Sequence, residues 1–231
     1  MNTLIKNKAF KDKMNTLFVF DFHGVLEKGT EKAVTMVSNI ALERLGYDFK
    51  ISHEEIMKHY GHKWHDIFLQ TVPKISYDEA YSLYKECLIV DELFPNLILE
   101  NTKQNDNAKK AIETIIKNKD EYILISNTNP NALKTFVKAA ELENYFNENN
   151  SFAVNQHDNG VSLTKENVLR NYLNGKSYEK IIIIGDSPGD IELKKVSPHN
   201  SVTFLYTHPG INFRDCEADH KIRDLMEIFL N

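Results

Sequence analysis

No stretch of the 231 residues approaches the roughly 18–20 consecutive apolar positions that a membrane helix needs. The N-terminus carries no compact apolar signal core either, so a cytoplasmic protein with no membrane partner is expected. Basic charge is also scarce. There are 28 Lys and Arg against 33 Asp and Glu, a net charge of -5, and the cations are scattered among acids instead of forming a stripe. That distribution excludes nucleic acid as an expected partner. Cysteine is nearly absent: Cys87 and Cys216 lie far apart in unrelated contexts, which excludes a disulfide scaffold and fits a reducing compartment.

What remains is a chain long enough for one large domain, or for a domain carrying an insertion. Three short apolar runs, Thr16 to Phe20, Tyr122 to Ser126 and Lys180 to Gly185, each end at polar or glycine punctuation and predict buried parallel strands. Val202 to Tyr206 predicts a fourth strand, and Phe152 to Asn155 a weaker one. Helical spacing falls between them, at about 107–118, 130–142 and 189–196. Strands alternating with helices imply βαβ units in a doubly wound parallel sheet, whose ligands bind beyond the carboxyl ends of the strands.

About 100 residues separate the first strand from the second, far more than one crossover requires. Thr30 to Leu45 has helical spacing closed by Gly46, Ser52 with Glu54 and Glu55 opens another helix, and Ser76 with Asp78 and Glu79 opens a third. These helices predict a lid over the strand ends. The segment from Asp219 to Leu230, with Ile222, Leu225, Met226 and Phe229, predicts an amphipathic packing helix. Residues 1–13, rich in Lys and Asn, are expected to form a loosely held tail.

Chemistry concentrates where the strands end. The first delivers Asp21, followed by His23 and by Gly24 for a sharp turn; a carboxylate there can be a metal ligand, a nucleophile or a turn cap. The second ends in Ser126 and Asn127, whose hydroxyl and backbone N–H groups can grip phosphate oxygens or simply cap a turn. The third ends in Gly185-Asp186-Ser187-Pro188-Gly189-Asp190. Two acids so close in a crevice repel one another unless a cation lies between them, and hard oxygen ligands suit Mg²⁺. Lys165, at the start of a helix, reads in isolation as a surface lysine.

Taken in order, Asp21 to Val25, Ser126, Lys165 and Gly185 to Asp190 resemble the four motifs of the haloacid dehalogenase superfamily, from about Leu17 onward. The resemblance implies an α/β fold, a doubly wound parallel-sheet Rossmann-like core with an inserted small α-helical cap of the phosphoglycolate phosphatase-like and β-phosphoglucomutase-like kind. Residues 14–27 and 100–231 would form the core and 28–99 the cap. Asp21 would be the nucleophile that forms an aspartyl-phosphate. Ser126, Asn127 and Lys165 would bind phosphate. Asp21, Asp186, Asp190 and the backbone carbonyl of His23 would hold Mg²⁺. Thr164 and Glu166 depart from the Lys-Pro commonly seen around the third motif.

The chief departure is His23, which stands where the family has a second Asp that protonates the leaving oxygen and then activates water. A histidine can do both. Three readings follow: a Mg²⁺-dependent phosphatase of a small phosphorylated metabolite with His23 as acid/base, a phosphotransferase or mutase, or a catalytically weak phosphate-binding regulatory protein. The assembly expected is a monomer or homodimer. In the cap, His59-Tyr60-Gly61-His62-Lys63-Trp64-His65 is too irregular for a metal site. It is either a surface turn with Trp64 packed into the cap, or a loop whose Gly61 and Lys63 contact the substrate.

Overall fold

The computed structural model describes residues 16–60, 64–128, 130–154, 163–197, 199–209 and 211–230. β1 (Thr16–Phe20) leads to a short β2 (Glu27–Lys28), and then come α1 (Thr30–Arg44), α2 (His53–His59), α3 (Trp64–Thr71), α4 (Tyr77–Leu93) and α5 (Pro95–Asn101). β3 (Lys103–Gln104) returns the chain, followed by α6 (Ala108–Asn118), β4 (Glu121–Ser126), α7 (Pro130–Ala139) and β5 (Ser151–Ala153). The remainder is α8 (Lys165–Leu173), β6 (Lys180–Gly185), α9 (Pro188–Ile191), β7 (Ser201–Tyr206) and β8 (His220–Ile222). Single 3₁₀ segments span Glu192–Val196 and Leu225–Phe229.

Six strands form one parallel sheet in the order β5-β4-β1-β6-β7-β8. Side chains alternate across a strand, so each apolar run supplies two cores. Phe18, Phe20, Leu124, Ile182, Ile184 and Phe204 face the layer made by α6, α7 and the C-terminal 3₁₀ segment. Leu17, Val19, Ile123, Ile125, Ile181 and Ile183 face α8 and Leu193. This is the doubly wound core expected from the sequence. With β1 in the middle, successive connections run to opposite edges, and the crevice opens at the carboxyl ends of β1, β4 and β6.

The insertion has its own apolar cluster, built from Val37, Ala41, Leu42, Ile56, Phe68, Leu83 and Val90 among others. Two capping boxes fix its helix starts. Glu55 N–H donates to Ser52 Oγ (3.2 Å) while Ser52 N–H donates to Glu55 Oε2 (3.0 Å), and Ser76 with Glu79 repeats the pattern. The chain leaves and re-enters the core through the antiparallel pair β2–β3, with Glu27 opposite Gln104 and Lys28 opposite Lys103.

One expectation needs correction. The segment 219–230 is not one amphipathic helix: it gives β8, which pairs with β7, and then the 3₁₀ segment Leu225–Phe229. The Asp219 carboxylate accepts from Thr203 N–H and Oγ–H, both at 2.8 Å, and this clamps the chain to the β7 edge. Ile222, Leu225 and Ile228 still face the core, with the three-residue spacing of a 3₁₀ turn. Trp64 packs against the cap's apolar cluster, as one of the two readings of that segment expected, and does so from the start of a helix. Trp64 opens α3 and donates from Nε1 to Ser38 Oγ (2.9 Å), and His65 is buried against Tyr77, Tyr81 and Tyr84. Gly61, His62, Lys63 and residues 1–15 lie outside the described residues. Among the described residues, no helix is long and apolar enough to cross a membrane.

Candidate active site

The parallel ladder carries Asp21 one residue beyond β1, where its N–H still donates to Ile184 O of β6 (2.9 Å). Opposite it, α8 starts at the cap residue Thr164, whose Oγ accepts from Asn167 N–H (3.2 Å); this start aims Lys165 into the crevice. Lys165 Nζ donates to Asp21 Oδ1 and to Asp190 Oδ1, each at 2.7 Å, with all three side chains buried. It is therefore no surface lysine. Asp190 is held from its other side by Ser187, whose Oγ–H (2.6 Å) and N–H (3.2 Å) both donate to Oδ2. Carboxylate oxygens of Asp21, Asp186 and Asp190 lie within 4.8 Å of one another.

Two glycines make this proximity possible. Gly24 has φ +74°, and a Cβ there would sit 2.8 Å from Asp186 Oδ2; a Cβ on Gly185 would sit 2.0 Å from Asp190 Cβ. On β4, Ser126 Oγ and the neighbouring Asn127 Oδ1 are buried with no hydrogen-bond partner among the described residues. Buried polar atoms are rarely left so, and each such group in a folded protein calls for a ligand, water or ion.

A family model for haloacid dehalogenase-like hydrolases matches residues 16–193. The chain belongs to that family. No curated protein matches it in sequence. Solved structures share its fold at low identity. A protein assigned as a phosphatase from Clostridium difficile has a TM-score of 0.72 at 20% identity, over 94% of this chain and 98% of its own. A predicted phosphoglycolate phosphatase from Haemophilus somnus has a TM-score of 0.72 at 14% identity, over 93% and 96%. A HAD family hydrolase from Deinococcus radiodurans, solved with bound phosphate and sodium, has a TM-score of 0.65 at 14% identity, over 94% of each chain.

In this haloacid dehalogenase-like hydrolase the acids outnumber the cations, and their ionisation shows it. Burial, with the charge of Asp190 added, raises the Asp21 carboxyl above its usual range despite Lys165. Burial also pushes Asp186 up to about 7; Arg214 opposes the rise, while Asp190 and Asp21 add to it. Lys165 behaves oppositely: burial would lower its pKa, but the charges of Asp190 and Asp21 hold it above the usual lysine value. A further cation among these oxygens would relieve the repulsion.

Three residues that the sequence did not single out complete the surroundings. Arg214, on the loop after β7, lies 3.4 Å from Asp186 Oδ2 and donates to the backbone carbonyl of Tyr60 (2.5 Å), joining the cap to the core. Tyr60 is itself buried, and burial together with the charges of Glu27, Glu31, Asp186 and Asp21 pushes its hydroxyl well above the usual tyrosine range. Glu27 Oε1 lies within hydrogen-bond distance of the His23 ring, 3.1 Å from Nδ1. His23 stands beside the acid cluster, with its ring edge-on to Phe136 (4.7 Å between centroids). Of the three, only Glu27 had a local signal, its place four residues after His23; contacts such as Arg214 to Tyr60, 154 residues apart, leave no sequence pattern.

Proposed function

We propose that this hydrolase is a Mg²⁺-dependent phosphatase of small phosphomonoesters, working through an aspartyl-phosphate on Asp21 with His23 as acid and base. The observation that carries this reading is the Lys165 ammonium bridging Asp21 and Asp190 at the strand ends, one strand from the Ser126 hydroxyl, which has no partner among the described residues. The donor set suits the metal. The oxygens of Asp21, Asp186 and Asp190 are hard ligands within 4.8 Å of one another, and Gly24 leaves Asp186 room. Asp21, Asp186, Asp190 and the His23 backbone carbonyl would hold the ion. When bound, Mg²⁺ would neutralise charge on the transferring phosphoryl group.

The chain's own residues do the rest. A carboxylate oxygen of Asp21 attacks phosphorus in line with the ester oxygen, the P–O bond to that oxygen breaks, and His23 gives it a proton. Water then attacks the phosphorus of the aspartyl-phosphate and passes a proton to His23, which restores both groups and frees phosphate. Lys165, the Ser126 hydroxyl and the Asn127 segment steady the phosphoryl oxygens throughout. The cap, residues 28–99 over a core of 14–27 and 100–231, would choose the ester, with Tyr60 over the site and Gly61 and Lys63 toward the non-phosphate part.

A panel of sugar phosphates, nucleotides and phosphoglycolate, assayed with Mg²⁺ beside an Asp21→Asn control, tests the proposal. Metal-dependent phosphate release confined to the parent is expected; equal release by both proteins would sink it. Transfer of the phosphoryl group to an added alcohol in preference to water would identify a phosphotransferase.

A further inference from the structure

The histidine that replaces the family's second Asp is not free to turn. Glu27 is fully buried, and both of its carboxylate oxygens are used. Oε1 accepts from Gly24 N–H (3.2 Å) and lies 3.1 Å from His23 Nδ1; Oε2 accepts from Thr30 N–H (3.3 Å) and Thr30 Oγ–H (2.7 Å). Thr30 Oγ, having given its proton to Glu27, must accept from Thr102 Oγ–H at 2.8 Å. Every donor thus points toward one carboxylate, whose only role is to accept. Burial would raise that carboxyl, but its bonds with His23, Thr30 and Gly24 outweigh the effect and keep Glu27 below its usual pKa.

We infer that Glu27 is a positioning residue that fixes the His23 ring with its proton on Nδ1, so that Nε2 is the atom offered to the leaving oxygen and to water. This inference rests on the phosphatase reading for its consequence in turnover. The geometry is specific to a carboxylate. Gly24 N–H fixes one oxygen as an acceptor and Thr30 N–H fixes the other, so a glutamine would set its NH₂ against a backbone N–H in either orientation. Glu27 is also gripped from both connections of the cap. Thr30 is the first residue of the departing helix α1, and Thr102 follows the returning helix α5. The cap hinge and the proposed acid/base share one buried network.

¹⁵N-histidine NMR of the unaltered protein at about pH 9, well above the ordinary histidine pKa of about 6.5, reads the tautomer directly. The His23 signal is identified by its loss in His23→Asn. A protonated Nδ1 with a bare Nε2 is expected; the opposite tautomer, or an even mixture, overturns the inference. This measurement stands even if no phosphomonoester is hydrolysed, so it separates failure of the inference from failure of the phosphatase reading. With an active parent, Glu27→Gln should lower kcat about 10- to 100-fold, short of the roughly 100- to 10,000-fold that general acid–base catalysis contributes, because the imidazole itself remains, while KM changes less than about twofold. If Glu27→Gln does not fold, Thr102→Val, which removes only the outermost donor, should lower kcat in the same direction. Unchanged kcat in a folded Glu27→Gln protein, or in Thr102→Val when Glu27→Gln does not fold, overturns the inference.

Discussion

Among the described residues Lys165 is the one lysine bonded inside the group of three acids, and its removal leaves Asp21 and Asp190 without that cationic partner. Breaking a buried pair from one side costs about 3–5 kcal/mol. Lys165→Met, which keeps the volume and loses the charge, should therefore lower unfolding stability in metal-free buffer by that order, as read from urea denaturation. Phosphate release should fall at least about 100-fold, the scale of losing one electrostatic donor to the transition state. Added Mg²⁺ should recover part of the stability but not the rate, because the ion offsets charge without replacing the donor.

Among the elements, α9 shows how closely backbone and site are fitted. It begins one residue after Ser187, with Asp190 folded back on Gly185. Gly185→Ala places a methyl 2.0 Å from Asp190 Cβ, so α9 must shift. Overpacking of this kind costs about 1–3 kcal/mol, and the moved carboxylate should also weaken Mg²⁺ binding; a lower melting temperature and a smaller Mg²⁺-induced rise would show both. The central strands β1, β4, β6 and β7 were legible because each is an apolar run buried on both faces. The closeness of Asp21 to Asp186 and Asp190 was legible because two buried strands end beside them; Lys165, a surface lysine when read in isolation, was expected there only through the family resemblance. The short strands that sequence reading missed have no such pattern. β2 is Glu27–Lys28 and β3 is Lys103–Gln104, two polar residues each, and β8 is the edge strand His220–Ile222 with a single buried residue. Their hydrogen bonds come from partners distant in sequence, as with Asp219 and Thr203, and periodicity carries no trace of that. For the same reason the Glu27 network was hidden even though His23 was in plain view.

For the molecule as a whole, the acid cluster sets a pH dependence opposite to that of ordinary salt-bridged acids. Asp186 is pushed from 3.8 up to about 7 in the folded chain, and Asp21 moves the same way. Between those values the folded cluster holds protons that the unfolded state has lost, so its contribution to stability falls as pH rises from about 4 to about 7, against the opposite contribution of acids held low, such as Glu27 and Asp219. Melting temperatures of the metal-free protein should decline across that window. Asp186→Asn should flatten the decline, and Mg²⁺ at about 100 times its Kd should restore about 2.7 kcal/mol. A flat metal-free profile would show that the acids are not crowded in solution.

The two-stranded pairing of Glu27 with Gln104 and Lys28 with Lys103 gives the cap an unusual standing in the chain. To the core, the five helices described between these strands amount to an overgrown hairpin loop whose ends are already side by side. Loop-closure cost rises only by about 0.6 kcal/mol for each doubling of length, so the length of the loop matters little to the core, whose demands on it are confined to the hinge: Thr30 and Thr102 in the Glu27 network, and Ala33 and Ile98 in the core's apolar cluster. Replacing residues 34–97 by a short flexible linker, which keeps Thr30, Ala33, Ile98 and Thr102, should leave a protein with a cooperative melt and an intact Mg²⁺-induced shift, yet one that no longer distinguishes among esters. Substrate preference would then be a cassette, exchangeable at two neighbouring points without disturbing the strands that hold the acids.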